Sequence, residues 1–241
     1  KGMTQTDFSI IKKHVQNTPD SIESDITKLT EYLVIPATNE KDKVISIYQW
    51  LIRNIVYDQV AYRNGNKRIN RSNQDILKRK KAICWGYATL FKAMCDEINI
   101  SCEVISGYGK TTLDATPDLK SPNHAWNSVQ IDSVWYLLDA TWDSNVLGGI
   151  SNFEQKYGYT YFLTPPKYFL INHLPASPNW QLLNCPITPE EYRFSADSIV
   201  TIDNDISRAS DGRKLIIIDR DREGTCDRLT IVWVSCRVSN E

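Results

Sequence analysis

The spacing of apolar residues changes near residue 100, and that change limits the fold more than any other feature of the chain. Upstream of it, Tyr87, Leu90, Phe91, Met94 and Ile98 follow Cys84 at three- and four-residue steps, the stripe of an amphipathic helix that Cys84 opens. The same spacing joins Ile22, Ile26, Leu29 and Leu33, and again Val44, Tyr48, Leu51 and Ile55. Downstream, residues 102–108, 124–131 and 134–139 are short runs rich in strand formers, separated by a polar stretch over 110–123. Helices that give way to consecutive, antiparallel strands predict the α+β class.

Further along, 159–163, 199–202, 215–219 and 229–236 also read as strands. The last three lie beyond a Pro-rich stretch over 165–189, so a small β-rich appendage is expected at the C-terminal end. Residues 62–73 are polar and basic with no apolar period, which predicts a surface loop.

Composition removes several function classes. Lys and Arg number 28 against 29 Asp and Glu, so no bulk charge marks a nucleic-acid or anionic-membrane partner. No apolar run reaches the roughly 18 residues a membrane helix needs. The six cysteines contain no C-x-x-C pair, which argues against a structural zinc site. Cys226 and Cys236 are spaced to bridge neighbouring strands in an oxidising compartment. No calcium-loop pattern is present, so neither metal nor cofactor is expected. The Lys1-Gly2-Met3 start reads as a cloning remnant or a processed terminus. An exported protein whose signal has been removed is expected ahead of a cytoplasmic fragment.

Cys84 stands where a thiol is useful. Unpaired N–H groups and the positive end of the dipole at a helix N-terminus favour thiolate over thiol. The neighbours Trp85, Gly86 and Tyr87 suggest a place where a substrate backbone comes close. A cysteine considered alone is more often a buried apolar residue, so its partners decide the matter. Residues 124–139 read as a hairpin turning at Asp132-Ser133, with Ile131 opposite Val134. In that register Trp126 faces Asp139 and His124 faces Thr141, so His124 and Asp139 are diagonal neighbours on one face. The other face carries Ala125, Val129, Ile131, Val134, Tyr136 and Leu138, with Asn127 as its polar exception, and suits packing on helices. With His124 beside Cys84, the imidazole takes the thiol proton while Asp139 fixes the tautomer and stabilises the imidazolium. His14 and His173 fall in a surface helix and a Pro-flanked loop, where ordinary solvent or packing roles are expected.

The ordered motifs resemble the transglutaminase-like superfamily, in particular the branch that includes kyphoscoliosis peptidase and fungal cytokinesis proteins. The residues carrying the resemblance are IYQWLIRNIVYD at 47–58, ICWGYA at 83–88, SGYGK at 106–110, HAWN at 124–127, WYLLDATW at 135–142 and YFLT at 161–164, then HLP at 173–175 and WQLL at 180–183. Trp85 and Gly109 depart from the branch's usual residues, and neither is one of the three reactive positions. The resemblance spans about residues 40–194. It implies a papain-like α+β core with Cys84 on the central helix and His124 and Asp139 on adjacent strands. Three regions follow: an N-terminal helical region over 1–38, a transglutaminase-like catalytic domain over 39–194 and the β-rich appendage over 195–241.

For the oxyanion, the Cys84 main-chain N–H is the natural first donor and Tyr57 the candidate second. Tyr57 is equally readable as a packed core residue. Trp85, Trp126 and Trp142 are candidate walls of a substrate cleft, or core aromatics, and residues 110–123 a candidate lid. The same three reactive residues serve peptide or amide hydrolysis, glutamine deamidation and transfer to an amine. Hydrolysis leads, because no second groove for an amine donor is evident. A protein or peptide is the expected partner. The alternatives are a transglutaminase or deamidase and, from another class, a peptide-binding scaffold module without turnover.

Overall fold

The computed structural model describes residues 8–64, 72–110, 119–144, 160–184, 186–194, 214–220 and 228–234. The chain divides into two compact units, one of residues 1–105 and 124–164, the other of 106–123 and 165–241.

The first unit is a helical layer and a sheet around one core. Its helices are α1 (Phe8–Gln16), α2 (Ile26–Leu33), α3 (Glu40–Asn54), α4 (Gln59–Arg63), α5 (Asn73–Arg79) and α6 (Cys84–Glu97), with a 3₁₀ turn at Asp20–Ile22. The apolar repeat from Ile22 to Leu33 is therefore not one helix. Asp25 interrupts it, its carboxylate accepting from the Lys28 N–H at 3.2 Å and starting α2 afresh. Helices α3, α4 and α5 also open on side-chain caps, from Asn39, Asp58 and Ser72. The short α4 and α5 flank residues 65–71 and were not signalled by the apolar period. Helix α6 differs: Ile83 precedes it and supplies no side-chain cap, which leaves first-turn N–H groups free for another acceptor.

Strands β1 (Val56–Tyr57) and β2 (Lys81–Ala82) pair in parallel, Tyr57 opposite Ala82. Strands β3 (Cys102–Gly109), β4 (His124–Ile131) and β5 (Val134–Leu138) follow, hydrogen-bonded in the order β5-β4-β3. The hairpin register is the expected one, Ile131 opposite Val134 through Asn127 opposite Leu138. Asp132 and Ser133 both hold positive φ, 49° and 66°, the type I′ geometry that matches strand twist. The Glu40 carboxylate accepts from the Asp132 N–H at 2.7 Å and ties the turn to α3.

Leu90, Phe91 and Met94 of α6 are fully buried with Tyr48 and Leu51 of α3 and Val129 and Leu138 of the hairpin. Each such side chain contributes about 1.5–3 kcal/mol by leaving water. Val134, expected on this packed face, is instead 51% exposed, at the first position after the hairpin turn. The strand expected over 159–163 is absent from its described part: residues 160–163 are turn and bend, Leu163 has a φ of 51°, and Thr164 alone bridges to Leu137. The Thr164 hydroxyl donates to the Thr160 carbonyl at 2.9 Å and closes that turn.

In the second unit the latter part of β3 pairs antiparallel with β6 (His173–Pro175), beside α7 (Pro166–Phe169), a 3₁₀ turn at Pro178–Gln181 and α8 (Pro189–Phe194). Leu170, Leu174 and Tyr192 form its core. Strands β7 (Lys214–Arg220) and β8 (Arg228–Val234), near the expected strands 215–219 and 229–236, pair as an antiparallel hairpin. The segments 199–202 and 111–118, and Cys185, Cys226 and Cys236, lie outside the described residues.

Candidate active site

Asp139 follows the last residue of β5 and is fully buried. Its Oδ1 accepts from the main-chain N–H groups of Thr141 at 2.8 Å and Trp142 at 3.2 Å. Its own N–H donates to the Tyr161 carbonyl at 2.9 Å. These bonds aim Oδ2 at His124, whose Nε2 lies 2.6 Å away. The diagonal contact expected from the hairpin register is thus made. His124 is only 8% exposed at its side chain. Its ring lies between Trp142, stacked at 5.2 Å, and Trp126 at 5.8 Å, which restricts rotation and keeps water off the ion pair.

With Nε2 committed to Asp139, Nδ1 is the nitrogen left for the thiol, and the Cys84 sulfur lies near enough to the ring to favour its charged form. Burial opposes a charged imidazole. The Asp139 charge, the hydrogen bond to it and the neighbouring sulfur together outweigh burial and raise His124 to about 10. The ring therefore carries its proton at neutral pH. Cys84 begins α6 and is half-buried, whereas Cys95 and Cys102 are buried. Burial pushes the Cys95 thiol well above its ordinary range, with the Cys102 thiol adding to the shift.

The structure brings Tyr57 to the same place. It lies opposite Ala82, just before Cys84. Burial, then the nearby Cys84, raise its hydroxyl above the ordinary phenol range and keep it a donor. It also packs against the core. Trp85 is 41% exposed and Trp126 fully buried. Gly86 and Tyr87 do not face a substrate path, contrary to expectation. Both are buried: a Cβ on Gly86 would stand 2.8 Å from Ala82 Cβ and 3.0 Å from Ile76 Cδ1, and the Tyr87 hydroxyl donates to the Ile55 carbonyl.

The other histidines also make contacts with their sequence or ring neighbours. His14 Nε2 contacts the Tyr32 carbonyl at 2.8 Å and its ring stacks on Tyr32. His173 is fully buried on β6 rather than in a loop, with Nδ1 2.7 Å from Asn172 Oδ1 and its ring 4.2 Å from that of Phe169. Two residues beside the site are not singled out by the sequence as functional groups, Tyr48 and Asp143. Tyr48 reads as one more apolar helix position, and the only available signal for Asp143 is its spacing four residues after Asp139.

A helix that presents a cysteine to a histidine and an aspartate on an antiparallel hairpin defines the transglutaminase-like fold, of the papain-like α+β kind. Residues 27–140 match the transglutaminase-like superfamily, and the chain carries a domain of that superfamily. It is similar to the kyphoscoliosis peptidase of Mus musculus, 33% identical over 73% of this chain and 27% of that protein. The Homo sapiens kyphoscoliosis peptidase is 35% identical over 68% of this chain and 25% of that protein. The chain thus spans about a quarter of the length of these relatives. Among solved structures, one described as a TGase aligns with a TM-score of 0.40 and 20% identity, over 65% of this chain and 37% of that one.

Proposed function

We propose that Cys84, His124 and Asp139 form a nucleophilic triad that cleaves peptide or amide bonds by acyl transfer. The observation that carries this reading is the 2.6 Å contact between His124 Nε2 and Asp139 Oδ2, with Cys84 among the neighbours that raise the His124 ring. An imidazolium beside the sulfur stabilises a thiolate. The sulfur attacks the substrate carbonyl and forms an S–C bond as the C=O π pair moves to oxygen. Collapse breaks the C–N bond, and the Nδ1 proton of His124 passes to the departing amine. Water then gives a proton to Nδ1 while its oxygen attacks the thioester, releasing the acid and restoring the thiolate–imidazolium pair.

The oxyanion is placed at the uncapped start of α6, where the Cys84 N–H is the first donor and the Tyr57 hydroxyl the second. Trp85 is the exposed aromatic wall beside the nucleophile, and Trp126 acts from within by confining His124. The acyl acceptor is water, in keeping with relatives that are peptidases by name. Deamidation or transfer to an amine would use the same thioester.

Iodoacetamide labelling of each cysteine between about pH 5 and about pH 9 tests the triad. Cys84 reacts at least about tenfold faster than Cys95, and His124→Ala and Asp139→Ala slow it by about a hundredfold. Equal rates at Cys84 and Cys95 sink the enzyme reading in favour of a binding module.

A further inference from the structure

Asp143 lies one turn beyond Asp139, is 2% exposed and takes no part in the chemistry above. Its Oδ2 accepts from the Tyr161 N–H at 2.9 Å and lies 2.6 Å from the Tyr48 hydroxyl oxygen. That hydroxyl is also 2.9 Å from the Asp139 main-chain carbonyl. A phenol has one proton to give. The Asp139 carbonyl can only accept, so the Tyr48 proton belongs there, and the shorter contact to Asp143 is a hydrogen bond only if Asp143 supplies a proton of its own. The second carboxyl oxygen, Oδ1, is buried and meets no donor among the described residues. That is tolerable for the carbonyl oxygen of a neutral acid and costly for half of a carboxylate.

We propose that Asp143 is a positioning residue, a neutral carboxylic acid that donates to Tyr48, which in turn donates to the Asp139 carbonyl and holds Asp139 in place for His124. The proton order is Asp143 Oδ2–H to Tyr48 Oη, then Tyr48 Oη–H to Asp139 O. When Asp143 ionises, Tyr48 turns its only proton to the new carboxylate, and the Asp139 carbonyl loses the Tyr48 donor while keeping the long bond from the Asp143 N–H at 3.4 Å. The turn that aims Oδ2 at His124 is then held by fewer bonds. The titratable groups around Asp143 among the described residues are Tyr48 from α3 and Asp139 of the same turn. Tyr87 of α6 is near Asp139 and Ser144. Burial raises the Asp143 carboxyl to about 7, against the lowering effect of Tyr48 and of the Tyr161 and Thr160 N–H groups, and the Asp139 charge adds to the rise. The release thus falls at neutral pH.

The structural part concerns the observed His124–Asp139 pair; only its effect on turnover rests on the proposed acyl transfer. The test follows the Asp143 carboxyl carbon and the His124 ring nitrogens by NMR from about pH 5 to about pH 9, in the wild type, Asp143→Asn and Tyr48→Phe. In the wild type both sets of signals move together with a midpoint near 7. In Asp143→Asn and Tyr48→Phe the His124 signals lose that midpoint. An Asp143 carboxyl already ionised at the acid end overturns the proposal, and so does an unchanged His124 midpoint in Asp143→Asn. The first of these is read on the wild type, so it stands even if a variant fails to fold. Cys84 labelling recorded alongside separates the two readings. An NMR midpoint with an unreactive Cys84 sinks the enzyme and leaves the positioning role. A reactive Cys84 with no midpoint does the reverse.

Discussion

His124 and Asp139 meet across the open end of one hairpin, and the 2.6 Å between Nε2 and Oδ2 follows from the register of that hairpin and from the turn that holds Asp139. Between them the ladder pairs every residue from Asn127 with Leu138 to Ile131 with Val134. Glu40 of α3 fastens its turn, and the Thr141 and Trp142 N–H groups fasten its open end. The contact is therefore a property of the folded sheet.

That contact makes stability depend on alkaline pH. His124 is raised from its ordinary value to about 10, because Asp139 and Cys84 outweigh the effect of burial. A group raised in the folded state stabilises it fully below its unfolded value of about 6.5, and the contribution fades as pH climbs through the folded value. The wild type is expected to lose stability steadily from about pH 6.5 to about pH 10. Asp139→Asn, which removes the charge and leaves burial to dominate, flattens that slope. Urea unfolding of both proteins at several pH values gives the answer, and equal slopes would count against the ion pair.

The turn itself can be improved without touching the site. Ser133 holds a φ of 66° after Asp132 at 49°, the left-handed region that costs an L-residue about 1–2 kcal/mol. Glycine removes that cost and returns part of it as unfolded-chain entropy. Ser133→Gly is expected to stabilise the protein by about 0.5–1 kcal/mol with Cys84 labelling unchanged. A lower urea midpoint for the variant would rule out the type I′ geometry.

Gly86 is held by contact rather than by conformation. An added Cβ would meet Ala82 Cβ at 2.8 Å, an atom fixed to the backbone of β2 that cannot swing aside. Helix propensity alone favours alanine by about 1 kcal/mol, while overpacking of this kind costs about 1–3 kcal/mol. Gly86→Ala is expected to destabilise by about 1–2 kcal/mol net and to slow Cys84 labelling, because Cys84 lies between the strained strand and the helix. A stabilised variant would mean that α6 and β2 stand further apart.

The parts of the molecule legible in the sequence are those where one residue's period carries the information. The α6 stripe and the 124–139 alternation each extend far enough to define an element and its buried face, and with them came Cys84, His124 and Asp139. What was not legible depends on atoms brought together from distant segments. Gly86 looked like room for a substrate until Ala82 and Ile76 were seen to occupy that room. Tyr48 counted as apolar, although its hydroxyl reaches the Asp139 turn 91 residues away. Residues 160–163 have strand-forming side chains, yet their backbone is spent on a turn that gives its carbonyl at Tyr161 to Asp139.

Asn127 is the polar exception on the buried face, and its contacts explain it. Its side-chain amide donates to the Ala88 carbonyl of α6 at 2.9 Å and to the Glu103 carbonyl of β3 at 3.2 Å. One buried group thereby joins α6 to two strands. An aspartate there would point a charge at two carbonyl oxygens and have nothing to donate unless protonated. The folded state of Asn127→Asp therefore favours the neutral acid and raises its carboxyl above the unfolded value of about 3.9. Stability is retained below about pH 3.9 and lost as pH rises through the raised folded value. At neutral pH the variant is expected to be about 3 kcal/mol or more less stable than the wild type, exceeding the ~1–3 kcal/mol of Asn127→Ala, which leaves two acceptors unpaired but buries no charge. Thermal unfolding near pH 4 and near pH 7 distinguishes the cases: a gap between Asp and wild type that does not widen with pH would show that the amide is not the tie between α6 and the sheet.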